Sequence, residues 1–547
     1  MMGKREGQRV VGSPGPRRSW IIRHRAGLFS ALLSSSLLVV AFPPLGLSPL
    51  AWIGIAPLLY TLARRPVGAK GGFGYGLLAG STFFYGSCFW VTYSMIHYGG
   101  LPVWLAYVLG IVPAIALGSF WGLFALVFTA IVRRLGQYGF LFAPFLWVAT
   151  EWGRFQVTTI GWNALGYSQA LHPGVIRLAR IGGVYGVSFL LLVVQSALAW
   201  GSLRSFHLSE WKWRWTWRLI GLGGVGALVV VSMIGSSGGS RPPIPTPHER
   251  GREFRVLGIQ PDIPIDALFD PELQTRHFLR LMATTRSALA THSEVDLVVW
   301  PESPLNISLD ESPEVLGMLQ SLVREHGVYL LLNAVERRPP DEWYNSVAVL
   351  SPEGEVIAEY EKIGLLPFGE YVPLRGLIPW IDRLPALAGD FTPGRRYTVA
   401  DVGNIRVGSF ICSEAAWPEI PRTLTAKGAT LLIEVTNDGW FGPTAAAEQH
   451  LWHAILRAVE NDRPLLRVTN NGISAYITGD GFIIDRTRLD EFAVRYWVVP
   501  RSSGRPAATF YTRFGDVLAI GCTVVGGIAA LGAAGVATSL RSVIGRR

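Results

Sequence analysis

Residues 404–416 read NIRVGSFICSEAA, an apolar run of strand character that ends abruptly on Cys412, with Glu414 two positions later. Short apolar runs of the same kind recur on both sides: FRVLGIQ (254–260), VDLVVW (295–300), VYLLLNA (328–334), ATLLIEVT (429–436) and PLLRVTN (464–470). They are too short for helices and predict buried strands. Helical patterns lie between several of them, at 272–290 and 445–461. This alternation predicts an α/β layered domain over 253–500, with some antiparallel pairs where strands follow one another directly.

The rest of the chain has a different character. Of 547 residues half are hydrophobic and 16% are charged; there are 20 tryptophans, and the mean hydropathy is +0.32. Apolar segments suited to about 30 Å of hydrocarbon stand at 27–42, 50–63, 71–94, 102–132, 139–153, 181–200, 218–235 and 516–538. The expectation is a polytopic helical membrane domain of about eight spans. The second and fifth are short, and the fifth carries Glu151, costly at bilayer depth, so a re-entrant or interfacial piece is its alternative. No small-residue cleavage pattern follows VVAFPPLG, and more spans come after it, so the first span reads as an anchor. The implied organisation is a basic N-terminus (1–26), seven spans (27–235), a Gly/Ser/Pro-rich linker (236–252), the α/β domain (253–500), a return linker (501–515), the last span (516–538) and a tail (539–547).

The formal charge of +10 invites a nucleic-acid reading until it is divided by region. Residues 251–500 hold 22 Lys and Arg against 34 Asp and Glu, a net of −12, and the remainder holds 27 against 5, a net of +22. Positive charge therefore belongs to the membrane part, and no nucleic-acid partner is expected. Basic clusters at Arg17–Arg18, Arg23–Arg25, Arg64–Lys70, Arg133–Arg134, Lys212–Arg218 and Arg546–Arg547 fall on one side of an eight-span arrangement. Basic loops stay cytoplasmic, which puts both termini inside and the acidic domain outside. Of three cysteines, Cys88 and Cys522 lie in apolar spans, leaving Cys412 as a free thiol in the α/β domain.

Sites in α/β sheets gather beyond the carboxyl ends of strands. There the chain offers Glu302 after VDLVVW, Lys362 and Glu370 after EVIAEY, and Cys412 with Glu414 after RVGSFI. Singly, each has a plain reading: a helix-capping or solvated glutamate, a surface lysine, a buried cysteine acting as a small hydrophobe. Jointly they form a machine. A thiol needs a base or a nearby cation to become an effective nucleophile, which Glu302 supplies; an ammonium stabilises the oxyanion of an attacked carbonyl, which Lys362 supplies; Glu370 holds the lysine.

The order Glu, Lys, Cys, each after a strand, resembles the nitrilase superfamily and its α-β-β-α sandwich. WPES, YEKIGLLPFGEYVP, ICSE, TNDGWFG and QHLWHAILRAVENDRPLLRVTNNG, with GWNALGYSQ (161–169) and the spans, resemble its membrane-embedded apolipoprotein N-acyltransferase family over nearly the whole chain. The resemblance implies Glu302 as general base, Lys362 as oxyanion stabiliser, Cys412 as nucleophile, and Glu370 and Glu414 in support. It implies acyl transfer from a phospholipid, through a cysteine thioester, to the α-amino group of a diacylglyceryl apolipoprotein, in a bacterial cell membrane and with no metal or cofactor. Two positions depart from the pattern: Ser413 stands where the family has tyrosine, and Gly364 where it has His or Asn.

Substrate-binding candidates are Trp440, Ser413, Trp380, Trp162 and Asn163, with Trp380 in an apolar loop (376–389) that reads as a lid dipping into the bilayer or as core. His450 and His453, three apart on a helix with no third ligand, make a poor metal site and read as structural. The alternatives are a membrane-tethered amidase and a non-catalytic lipid- or lipoprotein-binding protein.

Overall fold

The structure is a computed structural model that describes residues 16–64, 67–204, 253–292, 294–303, 308–373, 390–500 and 507–544. Among the described residues eight helices precede the strands: α1 (Pro16–Ala41), α2 (Ala56–Ala63), α3 (Ala69–Ser87), α4 (Val91–His97), α5 (Val103–Leu135), α6 (Ala143–Thr158), α7 (Pro173–Ile176) and α8 (Ala179–Arg204). Helix α5, capped by Pro102, carries no charged residue before Arg133 and Arg134 in its last turn. Helix α3 packs closely along it because glycines face the contact. A Cβ at Gly76 would stand 2.4 Å from the Trp121 carbonyl oxygen, and one at Gly80 2.8 Å from the Gly118 Cα; small residues let backbones approach in this way.

The expected eight spans are corrected. Among the described residues four stretches are long and apolar enough to cross a membrane: His24–Ala41, Val103–Thr158, Ala179–Leu203 and Val517–Gly535. The second expected span divides into a 3-10 turn (Ser48–Trp52) and the eight-residue α2. The third breaks at Cys88–Trp90 into α3, rich in glycine, and the short α4. The fourth and fifth join through the turn Gly136–Phe142 into one apolar stretch. The seventh, 218–235, lies outside the described residues. Glu151, the residue that made the fifth ambiguous, is buried, and its Oε1 accepts from the Leu165 amide at 2.7 Å.

The strands are β1 (Glu253–Gln260), β2 (Leu297–Val299), β3 (Tyr329–Arg338), β4 (Glu342–Leu350), β5 (Val356–Glu361), β6 (Val399–Val402), β7 (Ile405–Ile411), β8 (Leu431–Thr436), β9 (Leu465–Thr469), β10 (Ala475–Ile477), β11 (Ile483–Arg486) and β12 (Ala493–Pro500). They form two six-stranded sheets, ordered β12-β1-β2-β3-β4-β5 and β11-β10-β9-β8-β7-β6. Each has a parallel centre, β1-β2-β3 and β7-β8-β9, flanked by antiparallel strands.

Both faces of the central strands are covered, which explains their unbroken apolar sequence. In β2 and β3, Leu297, Val299 and Leu331 point to the core shared with the second sheet. Val298, Leu330 and Leu332 point instead to α9 (Pro271–Thr291) and α10 (Pro313–His326), through Phe278, Leu281, Leu319 and Leu322. The second sheet carries α11 (Glu419–Ala426) and α12 (Ala446–Asn461). The chain continues through α13 (Phe510–Phe514) to α14 (Val517–Ile544).

Every residue of α12 except Glu448 is buried, because one side meets the sheet and the other meets the helical half. Gln449 is the join: its Oε1 accepts from the Trp90 and Trp162 indoles at 3.1 and 2.8 Å, and its Nε2 donates to the Ser87 carbonyl at 2.8 Å. At α12's other end, Glu460 accepts from the Val184 amide of α8 at 2.9 Å. Beside it Gly183 has φ +62, and a Cβ there would meet the Tyr511 ring at 2.6 Å. Only glycine meets both demands without strain.

Candidate active site

Three strand ends deliver the titratable groups. Glu302 follows β2, Lys362 follows β5 and Cys412 follows β7. All are buried, 2–6% exposed. Lys362 Nζ donates to Glu370 Oε1 at 2.8 Å and stands 3.6 Å from Glu302 Oε1. Asn345, inside β4, spans the two carboxylates, donating to Glu302 Oε1 and Glu370 Oε1 at 3.0 Å each. Asn333 of the neighbouring strand β3 fixes Asn345, donating to its Oδ1 at 2.6 Å. Glu302 Oε2 accepts from the Asn437 amide at 3.0 Å, and the Cys412 thiol is an electrostatic neighbour of Glu302.

Two carboxylates share one ammonium in this cluster. Burial pushes the Glu302 carboxyl up, Lys362 pulls it back and Glu370 raises it again. Burial alone would lower the Lys362 ammonium, but Glu370 and Glu302 outweigh it and hold its pKa above the usual lysine range. The Cys412 thiol is pushed well up by burial and by Glu302, with Lys362 acting in the opposite direction. The lysine is thus a fixed cation, while thiol and carboxyl are both held toward their protonated forms. Such an arrangement can pass a proton between sulfur and carboxylate and meet a developing oxyanion with an ammonium.

The turn at Cys412 is sharply built. Cys412 has φ +52, a left-handed conformation that costs a non-glycine residue about 1–2 kcal/mol. Glu414 ties it down: Oε2 accepts from the Ile411 amide at 2.7 Å, and Oε1 from the Tyr360 hydroxyl and the Ile363 and Gly364 amides at 2.7–2.9 Å. Glu414 therefore staples the lysine loop to the cysteine turn rather than joining the cluster. The two departures from the family pattern lie side by side, since the Ser413 hydroxyl donates to the Gly364 carbonyl at 3.3 Å. A Cβ at Gly364 would stand 3.0 Å from the Trp417 ring.

The structure brings Glu302, Lys362, Glu370 and Cys412 together and places the other candidates around them. Trp440 is half-buried, with its ring edge-on to Tyr98 at 5.1 Å and its carbonyl accepting from Ser94 of α4 at 2.6 Å. Trp162 and Asn163 are buried against Gln449, and Asn163 also donates to the Cys88 sulfur at 3.5 Å. Trp380 and the loop 376–389 lie outside the described residues. No group of three metal-ligating side chains occurs among the described residues.

Sequence reasoning missed Asn345, a strand residue with no motif around it. It also set aside His450. Behind Cys412, His450 Nε2 lies 2.9 Å from the Cys412 carbonyl oxygen and Nδ1 2.8 Å from Asp438 Oδ1. Arg467 donates to Asp438 Oδ2 at 2.7 Å and to Glu434. TNDGWFG and QHLWH, already singled out as motifs, contained the signal for Asp438 and His450.

A doubly layered sandwich with a glutamate, a lysine and a cysteine at converging strand ends defines the nitrilase, or carbon-nitrogen hydrolase, class. Residues 267–505 match the carbon-nitrogen hydrolase family, and residues 34–197 match the apolipoprotein N-acyltransferase N-terminal domain. An apolipoprotein N-acyltransferase of Geobacter metallireducens is 35% identical over 93% of this chain and 94% of its own. One of Methylococcus capsulatus is 31% identical over 91% and 94%. The chain belongs to the apolipoprotein N-acyltransferase family. Among solved structures, Saccharomyces cerevisiae Nit3 of the nitrilase superfamily covers 46% of this chain and 90% of its own at 18% identity and TM-score 0.37, a likeness too slight to add to the assignment. Membership and the four apolar stretches together make this a membrane-embedded protein.

Proposed function

We propose that the protein N-acylates lipoproteins by a two-step, ping-pong transfer through Cys412. Glu302 takes the thiol proton as sulfur attacks the ester carbonyl of a phospholipid. Lys362 faces the resulting oxyanion. The tetrahedral adduct collapses, the glycerol oxygen leaves with the proton returned from Glu302, and a lysophospholipid departs from an acyl-cysteine. The free α-amine of a diacylglyceryl-cysteine at an apolipoprotein N-terminus then attacks the thioester. Its proton passes by way of Glu302 to the departing sulfur, leaving an amide and the free thiol. Asn345 and Glu370 keep the ammonium in place. Trp440, Ser413, Trp162 and Asn163 are the candidates to border the two lipids.

The observation that carries this reading is the meeting of Glu302, Lys362 and Cys412 at one buried point. Membrane embedding favours a lipid donor over a soluble amide, and a water-poor site protects the thioester until an amine arrives. We further place both termini in the cytoplasm of a bacterial inner membrane, with the sandwich on the outer face and the chain multi-pass. Arginines immediately before α1's apolar segment and at the chain end favour that orientation. The test supplies acyl-labelled phospholipid to the purified protein with and without a diacylglyceryl-cysteine peptide. Label is expected in an amide only when the peptide is present. Release of free labelled acid at the same rate in both arms would make the protein a tethered hydrolase instead.

A further inference from the structure

We infer that His450 is a positioning residue for the nucleophile, holding the Cys412 backbone in the conformation from which sulfur is presented. The inference rests on the thioester reading above and adds to it a part that the acid, amine and thiol do not contain.

A left-handed φ at a non-glycine residue persists only where its surroundings over-determine it. At Cys412 two side chains do this. The amide before it, on Ile411, is held by Glu414, and its own carbonyl is held by His450 Nε2 at 2.9 Å. A carbonyl oxygen only accepts, so Nε2 carries the hydrogen and the ring orientation is fixed by chemistry. Nδ1 is anchored by Asp438 Oδ1 at 2.8 Å, with Arg467 Nη2 3.1 Å away. Asp438 is in turn bound by Arg467, which also pairs with Glu434, its register partner across β8 and β9. All four side chains are buried, and Glu434 Oε1 also lies 3.3 Å from His450 Nε2.

The imidazole is prevented from retreating. The next residue back on α12 is Gln449, clamped by Trp90, Trp162 and the Ser87 carbonyl of the helical half. Trp162 also lies against the imidazole, ring centres 5.4 Å apart. The first turn of α12 thus connects the membrane helices to the nucleophile through two adjacent side chains, Gln449 outward and His450 inward. A misplacement of about 1 Å at a reacting atom costs on the order of 100-fold in rate, so a loosened Cys412 carbonyl is expected to slow acylation without weakening lipid binding.

Two neutral amides separate this role from simple packing. The His450→Gln side chain is long enough for its amide nitrogen to replace Nε2 at the Cys412 carbonyl. The His450→Asn side chain reaches only the Asp438 side. In full-length protein mixed with phospholipid and no acceptor, time-resolved intact mass reads the first-order rate of acyl-Cys412 formation. Expected are a rate within about 5-fold of the parent for His450→Gln and about 100-fold below it for His450→Asn. The half-saturating phospholipid concentration is expected to match the parent in both. Equal rates in the two variants, or a loss confined to the phospholipid dependence, would overturn the role. If His450→Asn does not fold, His450→Gln decides alone: a rate below about a tenth of the parent in folded protein overturns it. Absence of a Cys412 adduct in the parent would overturn the thioester reading itself, whereas a parental rate in His450→Asn overturns only the part given to His450.

Discussion

Two buried charge clusters flank Cys412, and they are built to opposite ends. Behind the cysteine, Glu434, Asp438, Arg467 and His450 pair donor against acceptor, and Asp438 is driven down to about 2 by Arg467 and His450 in spite of burial. In front of it, Glu302 and Glu370 divide one lysine, and Glu302 is pushed up. The same carboxylic acid chemistry, equally buried, is fixed as an anion in one cluster and left near exchange with a thiol proton in the other. Where the neighbouring cation outweighs burial the carboxylate is a fixed part of the scaffold; where burial wins beside a thiol the carboxyl can move a proton.

Deleting the cation in each cluster is the strongest way to break this contrast. Arg467→Leu leaves Glu434 and Asp438 buried without their partner, and a loss of about 3–5 kcal/mol is expected in chemical denaturation. Lys362→Met is expected to leave a folded protein, because Glu302 can take up a proton in place of the lost charge. Its acylation rate should fall by about 10²–10³ with phospholipid still bound, the magnitude of a lost oxyanion donor. A large stability loss from Lys362→Met with little change in rate would merge the two clusters into one kind.

Acid titration sharpens the comparison at a smaller scale. Asp438 has a lower pKa folded, about 2, than its ordinary 3.8. It therefore stabilises the fold above about pH 4, by on the order of 2 kcal/mol, and this contribution disappears as pH falls to about 2. Asp438→Asn should erase that limb of the stability–pH curve. Glu302 has the opposite sign: its raised pKa favours the fold below the ordinary glutamate range, and that contribution is lost as pH rises through the folded value. The acylation rate should move the other way, climbing up to tenfold per pH unit below the folded pKa of Glu302. A rate with no acid limb would remove Glu302 from the proton's path.

The front cluster was legible in the sequence and the rear cluster was not, for a physical reason. Glu302, Lys362 and Cys412 each follow an apolar run, and strand ends gather in sheets with parallel centres. The meeting of Glu434 with Arg467 depends on the β8–β9 register, and that of His450 with Cys412 on the rotation of α12; neither leaves a periodic trace. Asn345 was hidden likewise, inside a strand. The membrane half was legible in kind but not in number. Apolar composition alone does not separate a continuous helix from α3 and α4, broken at Cys88–Trp90, or from α2 with its 3-10 turn.

The central claim is that sulfur at position 412 carries the acyl group, and it is tested most directly by intact mass. Purified protein incubated with a phospholipid of defined acyl chains and no acceptor should gain the mass of one acyl group. Peptide mapping should place it on Cys412, hydroxylamine at neutral pH should remove it, and Cys412→Ala should never acquire it. Lipoprotein acylation continuing in Cys412→Ala, or an adduct mapped to any other residue, would contradict the account.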